Sequence, residues 1–172
     1  MNLQFEQSHN RTNEWYTPRE IFEPLGSFDL DPCAPLRPLW DIAKHNYTIE
    51  DNGLAKEWFG RVWLNPPYEQ PYITQFVEKM ALHGNGIALL FNRCDNRMFH
   101  EVIFPTADSL FFLRDRISFY HPDGTKGDRP GCGSILISWG EENTESVLKS
   151  GHIGSLFRCM NKREIGLQKK MF

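Results

Sequence analysis

Four consecutive residues, Asn65-Pro66-Pro67-Tyr68, combine types that can act on an aromatic amine. The two prolines fix the backbone and remove two N–H donors. The turn therefore presents carbonyl oxygens, and the Asn65 amide oxygen and a backbone carbonyl can both accept hydrogen bonds from one amino group. An exocyclic aromatic amine is a poor nucleophile because its lone pair is delocalised into the ring. Two acceptors aimed at its hydrogens favour the rehybridised transition state in which positive charge develops on nitrogen. On this reading Asn65 polarises and takes no proton. Tyr68 adds a flat ring on which a base swung out of a duplex can stack, offsetting the cost of extrusion. As a bare tetrapeptide the same residues make an ordinary tight turn, so the surrounding elements decide.

Those elements have the order strand, loop, helix. Arg61-Val62-Trp63-Leu64 reads as a compact strand that delivers Asn65 to its tip. Ile73, Phe76, Val77, Met80 and Ala81 then recur at helical spacing until Gly84 and Gly86. Upstream, Thr17 reads as an N-cap, with Pro18 at the first helical position and Glu20 completing a capping box. Phe28 to Asp31 reads as a strand stopped by Pro32, with Asp29 and Asp31 on one side of it near its end. The region from Trp40 to Trp58 is mostly polar and contains the turn signal Asp51-Asn52-Gly53. Gly86 to Phe91 is a continuous apolar run of the kind found in buried parallel strands, topped by polar residues from Asn92 to Arg97. Further on come a helical turn or two from Phe99 to Phe104 and a strand from Ser109 to Tyr120, interrupted at Arg114-Asp115-Arg116. A Gly-rich loop from Pro122 to Gly133 and a final strand, Ser134 to Trp139, follow. The pattern predicts one α/β domain whose polar loops lie at one end of a mostly parallel sheet, where open α/β folds bind ligands. The expected divisions are a loose N-terminus over 1–12, the domain over 13–150, and a basic tail or terminal helix over 151–172.

Bulk properties narrow the chemistry. A chain of 172 residues buries one sizeable core. With 19 basic against 22 acidic side chains and a formal charge of -3, any nucleic-acid contact must come from a local basic face rather than from the molecule's overall field. The four cysteines form no Cys-x-x-Cys pair and the six histidines stand singly, so no metal site is expected. No apolar run approaches a membrane span, and a cytoplasmic location is the expectation.

The combination Glu14-Trp15-Tyr16-Thr17-Pro18, Phe28-Asp29-Leu30-Asp31-Pro32-Cys33-Ala34, Gly53-Leu54 with Trp58, and the Asn65 loop resembles the small, phage-type Dam-like DNA N6-adenine methyltransferases across residues 13–140. The resemblance implies a Rossmann-like domain, S-adenosylmethionine as cofactor and DNA as partner. It implies that Trp15, Tyr16, Thr17 and Pro18 touch the methionine end of the cofactor. Asp31-Pro32-Cys33-Ala34 takes the place of the first cofactor motif, whose acid faces the methionine ammonium, but no Gly-x-Gly follows, and Asp29 competes with Asp31 for that role. Where such enzymes often carry Asp-Gly-Leu, this chain has Asp51 followed by Asn52-Gly53-Leu54, so either Asp51 or Asn52 takes the adenine contact; the ribose contact stays unassigned. Arg93, Arg97, Arg114, Arg116, Lys126 and Arg129 fall on loops or strand ends of one rim, a candidate phosphate track in which Arg93, Arg97, Lys126 and Arg129 are the expected DNA contacts. The tail adds Lys162, Arg163, Lys169 and Lys170. A domain of this size implies short sequence selectivity carried by inserted loops, and it leaves the oligomeric state open. The same polarising geometry suits cytosine N4, an RNA base or a glutamine amide, and a non-catalytic binding module of the same fold is the rival from another class.

Overall fold

The computed structural model describes residues 15–160. The expected N-terminal segment 1–12, Glu14 and the basic residues Lys162, Arg163, Lys169 and Lys170 lie outside the described residues. A short helix α1 (Arg19–Phe22) runs into a 3₁₀ turn, Glu23–Leu25, before strand β1 (Phe28–Asp31). Then come β2 (Ala43–Asn46), β3 (Val62–Leu64), α2 (Tyr72–His83) and β4 (Gly86–Phe91). A π-helical turn, Phe99–Ile103, leads into α3 (Phe104–Thr106), followed by β5 (Ser109–Leu113), β6 (Ser134–Trp139), α4 (Glu141–Lys149) and β7 (Gly154–Arg158).

The strands form one sheet in the order β2-β1-β3-β4-β6-β5-β7. Pairing is parallel from β2 through β1 and β3 to β4, with Leu30 opposite Val62 and Val62 opposite Gly86. It is antiparallel from β4 through β6 and β5 to β7, with Gly86 opposite Trp139 and Phe91 opposite Ser134. The expected mostly parallel sheet is therefore corrected to a mixed one. The segment from Arg114 to Gly133 contains no helix, and a parallel crossover needs a connection long enough to return along the whole sheet, usually a helix. The chain instead turns over at the same edge, and β6 runs back down beside β4.

Each face of the sheet is covered, which explains why β4 is apolar without alternation. Ala88 and Leu90 meet Leu64, Val77, Met80, Phe99 and Ile137 on one side. Ile87 and Leu89 meet Phe22, Leu25, Trp63, Phe111 and Val147 on the other. Gly84, at φ 73°, closes α2 in the left-handed conformation expected of a helix-ending glycine.

Three elements escape the sequence pattern. β2 is a half-exposed edge strand disguised by Lys44, His45 and Asn46. α4 is a polar helix that buries Asn143, Thr144 and Val147. β7, which falls in the segment expected as a tail or helix, is the opposite edge strand, paired with β5 and exposed along most of its length.

Gly60 shows how tightly β3 is introduced. It adopts φ +61°, and a Cβ there would lie 2.4 Å from Asp29 Oδ2. Asp29 in turn accepts the Arg61 N–H at 2.8 Å and the Lys44 ammonium at 2.8 Å. Gly60→Ala combines a left-handed backbone with this clash and is expected to cost about 2 kcal/mol, read as a lower urea midpoint at unchanged slope.

The parallel strands all point the same way, so the segments after β1, β3, β4 and β5 emerge along one edge. Tyr16 joins them there by exchanging two backbone hydrogen bonds of 3.0 Å with Tyr120.

Candidate active site

The Asn65 loop leaves β3 where burial ends. Val62, Trp63 and Leu64 are fully buried, Asn65 is half-buried and Tyr68 is exposed. The Asn65 amide nitrogen donates to Thr17 Oγ1 at 3.3 Å. Its Oδ1 is buried and has no hydrogen-bond partner among the described residues. Unsatisfied buried acceptors are uncommon in native proteins and mark sites of strain or function. The Tyr68 ring lies 4.3 Å from that of Phe91, at 34°, and its hydroxyl donates to the Leu89 carbonyl at 3.3 Å. Burial of that hydroxyl end pushes the phenol above its ordinary value, while the residue keeps 42% of its surface exposed. Tyr68 is thus a neutral platform braced from beneath by the last residue of β4.

Thr17 departs from its expected role. Helix α1 starts at Arg19, with Pro18 in the N-cap position and no side-chain capping bond. The hydroxyl that would have capped is committed to Asn65, a tertiary partner that outweighs the local one. The segment is fixed at several other points. Trp40 Nε1 donates to the Thr17 carbonyl at 3.0 Å and Tyr16 Oη donates to the Arg37 carbonyl at 2.9 Å. The Trp15 ring packs against His121 at 4.7 Å. Thr17 is 2% exposed and Trp15 43%.

Asp31 ends β1 as a buried carboxylate. The hydrogen bond it accepts is from the Cys33 N–H to Oδ1, at 2.9 Å. Burial pushes the Asp31 carboxyl up to about 7, with the Cys33 bond opposing. The Cys33 thiol is also raised, by burial and by the neighbouring Asp31 charge. Asp29 is in the opposite condition: the Arg61 backbone bond and Lys44 hold its carboxyl below the usual range. Both Asp29 oxygens are occupied at the base of the strand.

The turn after Thr48 docks onto this strand end. Asp51 Oδ2 accepts from the Thr48 N–H at 2.9 Å and from the Thr48 hydroxyl at 3.2 Å, which lowers its pKa. Asn52 is exposed and sits at φ 56°. A Cβ on Gly53 would lie 2.1 Å from the Pro32 carbonyl oxygen. Gly53 thus allows this turn a close backbone approach to Pro32 that any side chain would block.

Arg93 and the loop residues Lys126 and Arg129 are exposed on segments that emerge at this edge. Elsewhere on the expected track, Arg97 makes two bonds to Glu101, Arg114 pairs with Asp115, and Arg116 donates to the Pro130 carbonyl. Exposed pairs of this type are weak and open to exchange for phosphate. Among the described residues no group of three or more His, Cys, Asp or Glu side chains could hold a metal ion, and no helix is long and apolar enough to cross a membrane.

The Asn65 amide at a strand tip, the Tyr68 ring and the buried Asp31 carboxyl on the neighbouring strand are thus brought to one edge. The family model for DNA N-6-adenine-methyltransferase (Dam) matches residues 5–164. The chain belongs to this family. Among curated proteins, the DNA N-6-adenine-methyltransferase of Escherichia phage T1 is 38% identical over 85 residues. That stretch covers 44% of this chain and 34% of the phage protein, so the chain matches about a third of its relative's length. No solved structure matches. Sequence reasoning missed two contacts at this edge: the Thr17 hydroxyl on Asn65, hidden behind a convincing capping pattern, and Phe91 beneath Tyr68. An aromatic residue ending an otherwise aliphatic strand was the available signal for the second.

Proposed function

We propose that this chain transfers a methyl group from S-adenosylmethionine to the exocyclic amine of adenine in DNA. The observation that carries the reading is the Asn65 amide, whose nitrogen is held by Thr17 while its buried oxygen has no partner among the described residues. A target amino group donating to that oxygen and to a neighbouring backbone carbonyl supplies the missing bond. Those two acceptors strengthen as positive charge develops on the amine, which is where stabilisation accelerates the reaction. When bound, the cofactor supplies an electrophilic methyl group on a sulfonium. The amine nitrogen would take the methyl as the methyl's bond to the sulfonium sulfur breaks, leaving a neutral thioether, and the surplus amine proton would leave to solvent, since Asn65 cannot accept it at neutral pH. The exposed face of Tyr68 stacks the flipped base, with Phe91 behind it.

The residues fit the cofactor. Asp31 is a buried carboxyl with a raised pKa, which a cation would relieve, so the methionine ammonium belongs there. Lys44 and the Arg61 N–H engage both Asp29 oxygens, which favours Asp31 for that role, and the Thr48 bonds on Asp51 Oδ2 favour Asn52 as the residue that presents its amide to the adenine ring. Trp15, Tyr16 and Pro18 border the methionine end, with Pro32, Cys33 and Ala34 lining the strand turn. Arg93, Lys126 and Arg129 meet phosphates, joined by Arg97 if it exchanges Glu101 for DNA. A DNA-acting enzyme of this kind works in the cytoplasm. Cytosine N4 would suit the same acceptors, and family membership favours adenine.

Thr17 acts through Asn65, so Thr17→Val is expected to lower kcat about tenfold with cofactor affinity nearly unchanged, and Thr17→Ser to retain activity; steady-state kinetics with separate cofactor titrations check this. The function itself is tested by equilibrium binding of S-adenosylmethionine, followed by presentation of unmethylated duplex DNA. Binding with transfer supports the proposal. Binding without transfer points to another acceptor, and absence of both favours a non-catalytic module.

A further inference from the structure

Lys79 has no part in the reading above, yet its side chain is unusually committed. It stands on α2, the helix that follows the catalytic loop, and its ammonium donates to the carbonyls of Gly53 at 3.2 Å, Leu54 at 2.7 Å and Lys56. An ammonium has three N–H groups, so these backbone oxygens account for all of them. The charge also lies 5.2 Å from the centre of the Trp58 ring, and Trp58 Nε1 donates to the same Gly53 carbonyl at 2.8 Å.

The three carbonyls belong to an isolated turn. The Ala55 and Lys56 N–H groups both bond to the Asn52 carbonyl, at 2.8 Å and 3.3 Å, so residues 52–56 make a single helical turn. Its last carbonyls have no intrahelical donors, and one turn does not hold itself together in water. A cation at that end satisfies the free oxygens and complements their partial charge. The turn begins at Asn52 in a left-handed conformation and at Gly53 in contact with Pro32. A lapse at its far end would therefore release both.

We infer that Lys79 is a positioning residue for the cofactor: by capping the Gly53–Lys56 carbonyls it holds Asn52 at the adenine site and ties that turn to the helix leading from the Asn65 loop. This rests on the proposed cofactor role of Asn52. The test is calorimetric titration of S-adenosylmethionine into the full chain without DNA, for wild type, Lys79→Met, Asn52→Ala and Gly53→Ala, with kcat measured separately at saturating cofactor. Methionine keeps an apolar stem over Trp58 and removes all three donors. Lys79→Met is expected to raise Kd about tenfold while kcat stays within about twofold, a split that general loss of stability does not produce. Lys79→Arg, which restores donors, should recover most of the affinity. A folded Lys79→Met variant with wild-type Kd, beside weakened binding in Asn52→Ala and Gly53→Ala, overturns the inference alone. Unchanged Kd in Asn52→Ala and Gly53→Ala overturns the cofactor reading of the turn and takes the inference with it. If Lys79→Met does not fold, Lys79→Leu, which also removes all three donors, is read by the same criteria.

Discussion

Asn65→Ala is expected to reduce methyl transfer by about 10³-fold, with S-adenosylmethionine affinity within about threefold of wild type. The truncation removes the amide oxygen that has no partner among the described residues, so it takes away an interaction realised only with the target amine. It also takes the Asn65 donor from the hydroxyl of Thr17, which is 2% exposed, at a cost of about 1 kcal/mol that offsets the gain from removing the unpartnered acceptor. The loss should therefore appear in kcat, with little change in the urea midpoint. Lost activity together with unchanged stability separates a functional amide from a structural one.

Asp31→Asn is expected to weaken cofactor binding about 100-fold at pH 8, because a buried carboxylate facing an ammonium is replaced by a neutral amide. The same substitution should stabilise the unliganded protein. The Asp31 carboxyl is held at about 7 in the folded chain against an ordinary 3.8, so between those values the folded state binds the proton that the unfolded state has released. Stability therefore falls as pH rises from about 4 to about 7 and levels off above it, losing about 1.4 kcal/mol for each pH unit in that interval. The asparagine variant lacks this slope and should exceed wild type by a few kcal/mol at pH 8, with little difference at pH 4. Cofactor binding has the opposite pH dependence, strengthening through pH 7 as Asp31 ionises. Urea unfolding at the two pH values, beside a binding titration in each, checks both halves.

The legible parts of the fold were those with a strong local signal. Gly86–Phe91, Phe28–Asp31 and Ser134–Trp139 form strands with the bounds expected from the sequence, and α2 follows the spacing of Ile73, Phe76, Val77 and Met80. Strand direction was not legible, because an apolar run reads the same in either orientation; the helix-free connection before Ser134 was the only hint. Edge strands β2 and β7 carry too little burial to impose a pattern. At the site, residue types were legible and their competition was not. Asp29 and Asp31 look alike on one side of a strand, and only the fold brings Gly60, Arg61 and Lys44 against Asp29 while leaving Asp31 buried. Thr17 followed by Pro18 and Glu20 satisfies the local rule for a helix start, yet its hydroxyl bonds a residue 48 positions away. Lys79 looks like any polar residue of an amphipathic helix, since nothing local marks carbonyls more than 20 residues upstream as its partners.

The most direct test of the central claim is to incubate the full chain with methyl-labelled S-adenosylmethionine and unmethylated duplex DNA, then digest the DNA to nucleosides and locate the label. Label is expected in N6-methyladenine and is expected to be lost in Asn65→Ala. Label in N4-methylcytosine, or label undiminished in Asn65→Ala, would contradict that claim.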